Sequence, residues 1–188
     1  MDTKRKWNQK HKERVNHQEV PEPNARLKDL SAYLSGGTAI DLACGLGGNS
    51  IFLARLNYQI QAVDISDVAI KYVKEQADLL DLAINPQVFD LTEGDHLPLK
   101  ASSFDLAVMT YYLDRSLFLP VKNSIKQNGY FFMETFFQSQ QKEEQGVSNQ
   151  YKLKPQELLS EFGDWKVLFY EENEQEGRQT IFCQKVSG

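Results

Sequence analysis

Residues 38–49, Thr-Ala-Ile-Asp-Leu-Ala-Cys-Gly-Leu-Gly-Gly-Asn, decide the fold. A short apolar run over 38–42 stops at a cluster of small residues, as a buried strand does where the chain must turn. Asn49 then caps a helical pattern over 49–56 that puts Ile51, Phe52 and Leu56 on one apolar face. Between the two, small residues let the backbone approach a ligand, and the helix start offers N–H groups with no intrahelical partner.

Outward from this turn the alternation continues. Residues 59–64 (QIQAVD) alternate polar and apolar as a strand. Ser66 or Asp67 caps a helix to about Leu80, apolar at Val68, Ala69, Tyr72, Val73, Ala77 and Leu80. Residues 87–90 (QVFD) read as a third strand, and the nearly continuous apolar run 104–110 (FDLAVMT) as a fourth. The spacing predicts a helix over 115–127 stopped by Asn128-Gly129, then an aromatic fifth strand over 130–137. The polar stretch 138–150 has little to bury and is expected to be a mobile cover for the site. A helix over 155–162 follows, then strands over 165–170 and 180–184 around an exposed acidic hairpin at 171–177. This order specifies an α/β fold, a doubly wound, Rossmann-like sheet that is mostly parallel with an antiparallel pair at its end. Ligands of such sheets sit at the carboxyl ends of the strands.

A chain of 188 residues suits one principal domain, expected over 24–188, after a basic amino-terminal arm over 1–23. Residues 1–20 hold six cations against three acids, a net of +3 that leaves −8 on the remainder of a chain totalling −5. A body that acidic repels phosphate backbones and argues against a nucleic-acid partner. Cys44 and Cys183 lie far apart and form no Cys-x-x-Cys pair, which points to a reduced, cytoplasmic setting and to no metal. The longest apolar run, 106–113, is far short of the ~18 residues of a membrane helix. Lys4-Arg5-Lys6 leads into polar residues rather than a secretory signal, so no membrane partner is expected.

Three carboxylates carry the ligand argument. Gly45-x-Gly47-x-x-Ser50 approaches a dinucleotide fingerprint, and Asp64 stands nineteen residues beyond Gly45, where an adenosine ribose needs an acid. Asp41, at the end of the first strand, would repel a pyrophosphate but attract a cationic amino group. S-adenosylmethionine has that group and no phosphate. Asp90, ending the predicted third strand, is placed to accept from an adenine amino group. One acid for each part of the ligand favours this cofactor over a nicotinamide dinucleotide.

On these residues the chain resembles a class I S-adenosylmethionine-dependent methyltransferase of the small bacterial, tellurite-resistance type. AIDLACGLGGNSIFLA is similar to that family's first motif, QAVDIS to its second, and FDLTEGDHLPLKASSFDLAVMTYYL to its third and fourth. The resemblance implies a seven-stranded sheet with its last strand antiparallel. It also implies that Asp41, Ala43, Cys44 and Gly45 face the methionine part, with Asn49 at the end of the same binding loop. Asp64 would take both ribose hydroxyls, Ile65 would pack beside the adenine, Asp90 and Leu91 would hold the adenine edge, and Thr110 would lie under the sulfonium. Ala43 stands where the family usually has the loop's first glycine.

Methyl transfer from a sulfonium needs a nucleophile held in line, so positioning supplies most of the rate. Candidates near the acceptor are His96, Tyr111, Tyr112, Asp114, Glu134, and His11 or His17 from the arm. Tyr111, following the fourth strand, is the residue assigned a catalytic role. Glu134 lies in an apolar strand and needs a partner, expected to be Arg115. Related sequences tend to have His in place of Asp114. Thr110-Tyr111-Tyr112-Leu113 stands where amine methylases carry Asn/Asp-Pro-Pro-Tyr. A small-molecule acceptor is therefore expected: a thiol, a chalcogen oxyanion or a carboxylate. The alternatives are a catalytically silent cofactor-binding module and a methyltransferase acting on RNA or protein. Trp7, His11 and Arg14 share one helical face of the arm, which is expected to be a lid over the cofactor.

Overall fold

The structure is a computed structural model that describes residues 2–94, 97–141 and 146–186. The chain forms two compact units, Met1–Pro98 and Leu99–Gly188. The first contains helices α1 (Thr3–Asn16), α2 (Ala25–Asp29), α3 (Gly48–Arg55) and α4 (Asp67–Leu80), and strands β1 (Gly37–Leu42), β2 (Tyr58–Asp64) and β3 (Ile84–Val88). β1 and β2 pair in parallel with Leu42 opposite Val63, and β2 and β3 in parallel with Asp64 opposite Val88. Ile40, Leu42, Ala62 and Val63 are fully buried, because strands joined by helical crossovers are covered on both faces. α4 buries Ala69, Ile70, Val73 and Ala77 along one stripe, and Ser66 Oγ caps it by accepting from the Ala69 N–H.

One expectation in this unit is revised. The third strand is Ile84–Val88 rather than 87–90, since pairing with β2 carries it across Asn85 and Pro86, which read locally as a break. The Phe89 N–H still donates to the Asp64 carbonyl, so Asp90 arrives beside the end of β2. Most of the basic arm is the regular helix α1, started by Asp2, whose carboxylate accepts from the Lys4 N–H.

The second unit contains strands β4 (Phe104–Thr110), β5 (Ile125–Phe136), β6 (Lys166–Asn173) and β7 (Arg178–Gln184), with helices α5 (Phe118–Ser124) and α6 (Glu157–Phe162). β5 runs parallel to β4, while β7 returns antiparallel to both β5 and β6. The seven strands take the sheet order β3-β2-β1-β4-β5-β7-β6, the expected mostly parallel α/β sheet with an antiparallel last strand. Phe162 anchors the second unit's core, stacked on Phe131 at 4.6 Å and edge-on to Phe118 and Trp165.

The helix predicted over 115–127 is shorter, a 3-10 turn at Arg115–Leu117 followed by α5. Asn128-Gly129 is a kink inside β5, with Asn128 in the left-handed region at φ 65°, and β5 begins before it. The Lys185 ammonium takes the Lys122 and Ile125 carbonyls at 2.7 and 2.9 Å, closing the helix end. β6 also reaches Asn173, shortening the exposed hairpin. In the stretch 138–150, the Gln138 N–H donates to the Leu153 carbonyl and Ser139 Oγ to Glu174. The cover expected there falls partly on residues 142–145, outside the described residues. No helix among the described residues is long and apolar enough to cross a membrane.

Gly48 shows how tightly the first unit is closed. Residues 19–24 cross the start of α3, where the Asn24 N–H donates to Asn49 Oδ1 at 2.8 Å, and a Cβ on Gly48 would overlap the Glu22 carbonyl. Alanine normally stabilises a helix over glycine by about 1 kcal/mol. Here the sign reverses: Gly48→Ala is expected to lower stability by about 1–3 kcal/mol in urea unfolding, as overpacking does. An unchanged or raised midpoint would show that this crossing segment yields freely.

Candidate functional site

The turn from β1 to α3 is built from three left-handed residues, Ala43, Gly45 and Gly47, at φ 56°, 53° and 78°. Glycine accepts that conformation freely, whereas Ala43 holds it against its own Cβ. A Cβ on Gly47 would stand 2.8 Å from Val73 Cγ2, so α4 also excludes a side chain there. The Cys44 N–H donates to the Val63 carbonyl, fastening the turn to β2.

Asp64 organises the surroundings. Its Oδ2 accepts from the Gly45 N–H at 2.9 Å and its Oδ1 from the Ser66 N–H at 2.8 Å. The residue assigned to a ribose thus also ties the turn to the start of α4. Asp90 Oδ1 accepts from both the N–H and the hydroxyl of Thr92, Leu91 beside it is buried, and Ile65 is half-buried. Asp41 and Asp64 lie at the carboxyl ends of paired parallel strands, and Asp90 follows the Phe89 N–H that donates to the Asp64 carbonyl.

Asp41 is the electrostatic centre. It is 1% exposed; Oδ2 accepts from Ser50 Oγ at 2.6 Å, while Oδ1 has no partner among the described residues. Burial pushes its carboxyl up to about 7; the Ser50 hydrogen bond opposes the rise and the Asp64 charge adds to it. Burial, then the charges of Asp41 and Asp64, hold the Cys44 thiol well above its ordinary value, which disfavours the thiolate. Ser50 was visible only as the last member of the glycine pattern; its bond to Asp41 needed the structure. Asn49, assigned to the cofactor, uses its side-chain oxygen on Asn24.

His11 and Trp7 also belong to this site. Trp7 is half-buried and stacks on His11 at 5.7 Å, and the His11 ring packs against Gly45. Burial lowers the His11 pKa, opposed by Asp64 and assisted by Arg14 and Lys10. Arg14 itself pairs with Glu19 at 2.8 Å, and His17 is exposed just beyond α1.

The second unit gathers a different cluster. Thr110 ends β4, and Tyr111 follows it with φ 56°, a strained conformation for a tyrosine. Tyr111 Oη donates to Glu134 Oε1 at 3.1 Å, and Thr180 Oγ1 donates to Glu134 Oε2 at 2.7 Å. The partner expected for Glu134 was Arg115, but Arg115 pairs instead with Glu157 and the Lys152 carbonyl, because β7 delivers Thr180 beside Glu134. Arg178, overlooked in the sequence as one cation at an acidic hairpin, lies over the Phe136 and Tyr111 rings at 4.0 and 4.8 Å. Its buried Nη1 has no partner among the described residues. Asp114 caps a 3-10 turn through Ser116, and Tyr112 is half-buried. His96 lies outside the described residues.

A buried carboxylate oxygen without a donor, beneath a turn flanked by two further acids, repels phosphate and suits a ligand that brings an ammonium and hydroxyls. That set of acids fits an S-adenosyl ligand.

The family model described as tellurite resistance protein TehB matches residues 4–181. The ribosomal protein L11 methyltransferase of Campylobacter concisus is 26% identical over 152 residues, covering 79% of this chain and 52% of that protein. The probable S-adenosyl-L-methionine-dependent methyltransferase TehB of Haemophilus influenzae is 23% identical over 151 residues, covering 77% of this chain and 51% of that protein. The chain therefore spans about half the length of these curated relatives. The crystal structure of TehB from Haemophilus influenzae superposes with a TM-score of 0.75 at 21% identity, over 86% of this chain and 62% of that one, so the two share a fold.

The Asp41 carboxyl makes a stability prediction. Its pKa is raised from 3.8 in the unfolded chain to about 7 in the folded one. Its favourable contribution is therefore full below pH 3.8 and is lost as the pH rises through about 7. Asp41→Asn has no such proton. Urea unfolding from about pH 4 to about pH 8 is expected to show wild type losing stability relative to Asp41→Asn, by about 1.4 kcal/mol per unit of pKa separation. A constant difference would mean that Asp41 titrates normally.

Proposed function

The chain belongs to the tellurite resistance protein TehB family, and from that premise we propose that it is an S-adenosylmethionine-dependent methyltransferase acting on a small-molecule acceptor. One observation carries the cofactor reading: the buried Asp41 Oδ1 has no partner among the described residues, where a cationic amino group would complete its bonding. Bound there, S-adenosylmethionine supplies a methyl group on a sulfonium, an electrophile that needs no acid to assist departure. In this reading Asp41 ionises to meet the amino group, and Ala43, Cys44 and Gly45 line the methionine part, with Asn49 holding the far end of the turn. Asp64 accepts from the ribose, Ile65 packs on the adenine, Asp90 and Leu91 meet its edge, and Thr110 lies beside the sulfonium.

For the acceptor, Tyr111 and Arg178 are the residues we assign. Stacking on two rings fixes the Arg178 guanidinium, and its unpaired Nη1 suits an oxyanion or a carboxylate better than a thiol. Glu134 acts through Tyr111 and Thr180 as a positioning residue. Residues 1–23 serve as a lid and 24–188 as the methyltransferase domain. Cys44 and Cys183 are both free thiols, which fits a reducing, cytoplasmic setting.

Calorimetry tests the class. S-adenosylhomocysteine is expected to bind and NAD not to; the reverse would transfer the site to a dinucleotide. Asp64→Asn should weaken S-adenosylhomocysteine roughly tenfold or more, because bonds to a carboxylate are worth about 1.5–3 kcal/mol each. Unchanged affinity would put the ribose elsewhere.

Deletion of residues 1–20 tests the lid. It should weaken S-adenosylhomocysteine binding while leaving the remainder folded. Full affinity together with loss of salt-sensitive RNA binding would make the arm a tether, and RNA the acceptor.

A further inference from the structure

Helix α1 brings a buried, unpaired polar atom to the turn that Asp64 holds. His11 is 3% exposed, and its Nδ1 has no partner among the described residues. Its Cε1 lies 3.4 Å from where a Cβ on Gly45 would stand, so the ring covers the one residue of the turn whose N–H is bonded to Asp64. This placement is fixed from several sides. Lys4 pairs with Asp67 at 3.0 Å, and Asn8 Oδ1 accepts from Ser66 Oγ at 2.7 Å. Ser66 in turn donates its N–H to Asp64. Trp7, one turn before His11, stacks on the ring at an interplanar angle of 26°, and Lys10 lies over Trp7. Successive turns of α1 are thus pinned to the start of α4, and His11 is delivered to the turn with little freedom.

We propose that His11 is a cofactor-binding residue whose Nδ1 pairs with a ribose hydroxyl held by Asp64, an assignment that rests on the cofactor reading above. The chemistry is complementary. Each Asp64 oxygen already accepts one backbone N–H, so the carboxylate can take hydroxyl donors but can donate nothing back. A ribose hydroxyl that donates to Asp64 keeps lone pairs that need a donor, and a neighbouring hydroxyl can itself donate. A neutral imidazole nitrogen serves either need, depending on its tautomer. Burial favours that neutral form. If His11 were only a spacer over Gly45, a residue without nitrogen would fill the same volume and leave no buried polar atom unsatisfied.

Calorimetry on the full chain separates the two roles, with S-adenosylhomocysteine and its 2′,3′-dideoxy counterpart as probes. His11→Phe keeps an aromatic ring over Gly45 and removes the nitrogen. It should weaken S-adenosylhomocysteine roughly five- to tenfold, the effect of one hydrogen bond, and leave the dideoxy ligand bound as by wild type. His11→Gln, which restores a polar group, should recover part of the loss. In wild type, the His11 Nδ1 nitrogen resonance should shift on adding S-adenosylhomocysteine, a readout independent of any variant's folding. Equal affinities of wild type and His11→Phe, a loss that persists with the dideoxy ligand, or an unmoved resonance on binding would each overturn the assignment. Failure of wild type to bind S-adenosylhomocysteine at all is a different result, which defeats the cofactor reading itself.

Discussion

The carboxylate of Asp64 is the joint on which the first unit's binding edge depends. One oxygen holds the glycine turn through Gly45, and the other holds the start of α4 through Ser66. Because Ser66 also donates to Asn8, and Asp67 pairs with Lys4, the same few residues fix where α1 lies. The turn could not close this way with larger residues, since Val73 fills the space a Cβ on Gly47 would need. The residue proposed to hold a ribose therefore also sets the shape of the turn beside it.

Asp41 shows the opposite arrangement. Asp64 is satisfied by backbone donors, whereas Asp41 is buried and, among the described residues, has one oxygen unpaired and only Ser50 to offset its desolvation. An unsatisfied buried carboxyl lowers the stability of the free protein. A cationic ligand group would remove that penalty and gain a charge-assisted bond in the same step. Strain of this kind is concentrated where ligands bind, and left-handed Ala43 in the same turn follows that pattern.

The second unit handles a buried carboxylate differently again. Glu134 is closed by two hydroxyls from residues distant in the chain, Tyr111 and Thr180, which fixes Tyr111 in its strained conformation after β4. Arg178 lies over the Phe136 and Tyr111 rings, and its buried Nη1 has no partner among the described residues.

What the sequence determined alone was local. Strand and helix periods, the small residues of the turn, and the Ser66 cap placed β1, α3, β2 and α4 within a residue or so, because each depends on backbone geometry over a few positions. Asp41 and Asp64 at strand ends were legible for the same reason, whereas Asp90 falls two residues beyond β3. Tertiary structure decided whatever depended on residues far apart in the chain. β3 follows the pairing partner that β2 offers rather than its own propensity. Asn128-Gly129 looked like a helix stop and became a strand kink, because β5 is held between β4 and β7. The same holds for the partners of Glu134, for Ser50 beneath Asp41, and for the packing of His11 on Gly45. A side chain's spacing states which face it occupies, but only the packed neighbours determine which polar atoms are satisfied and which are left for a ligand.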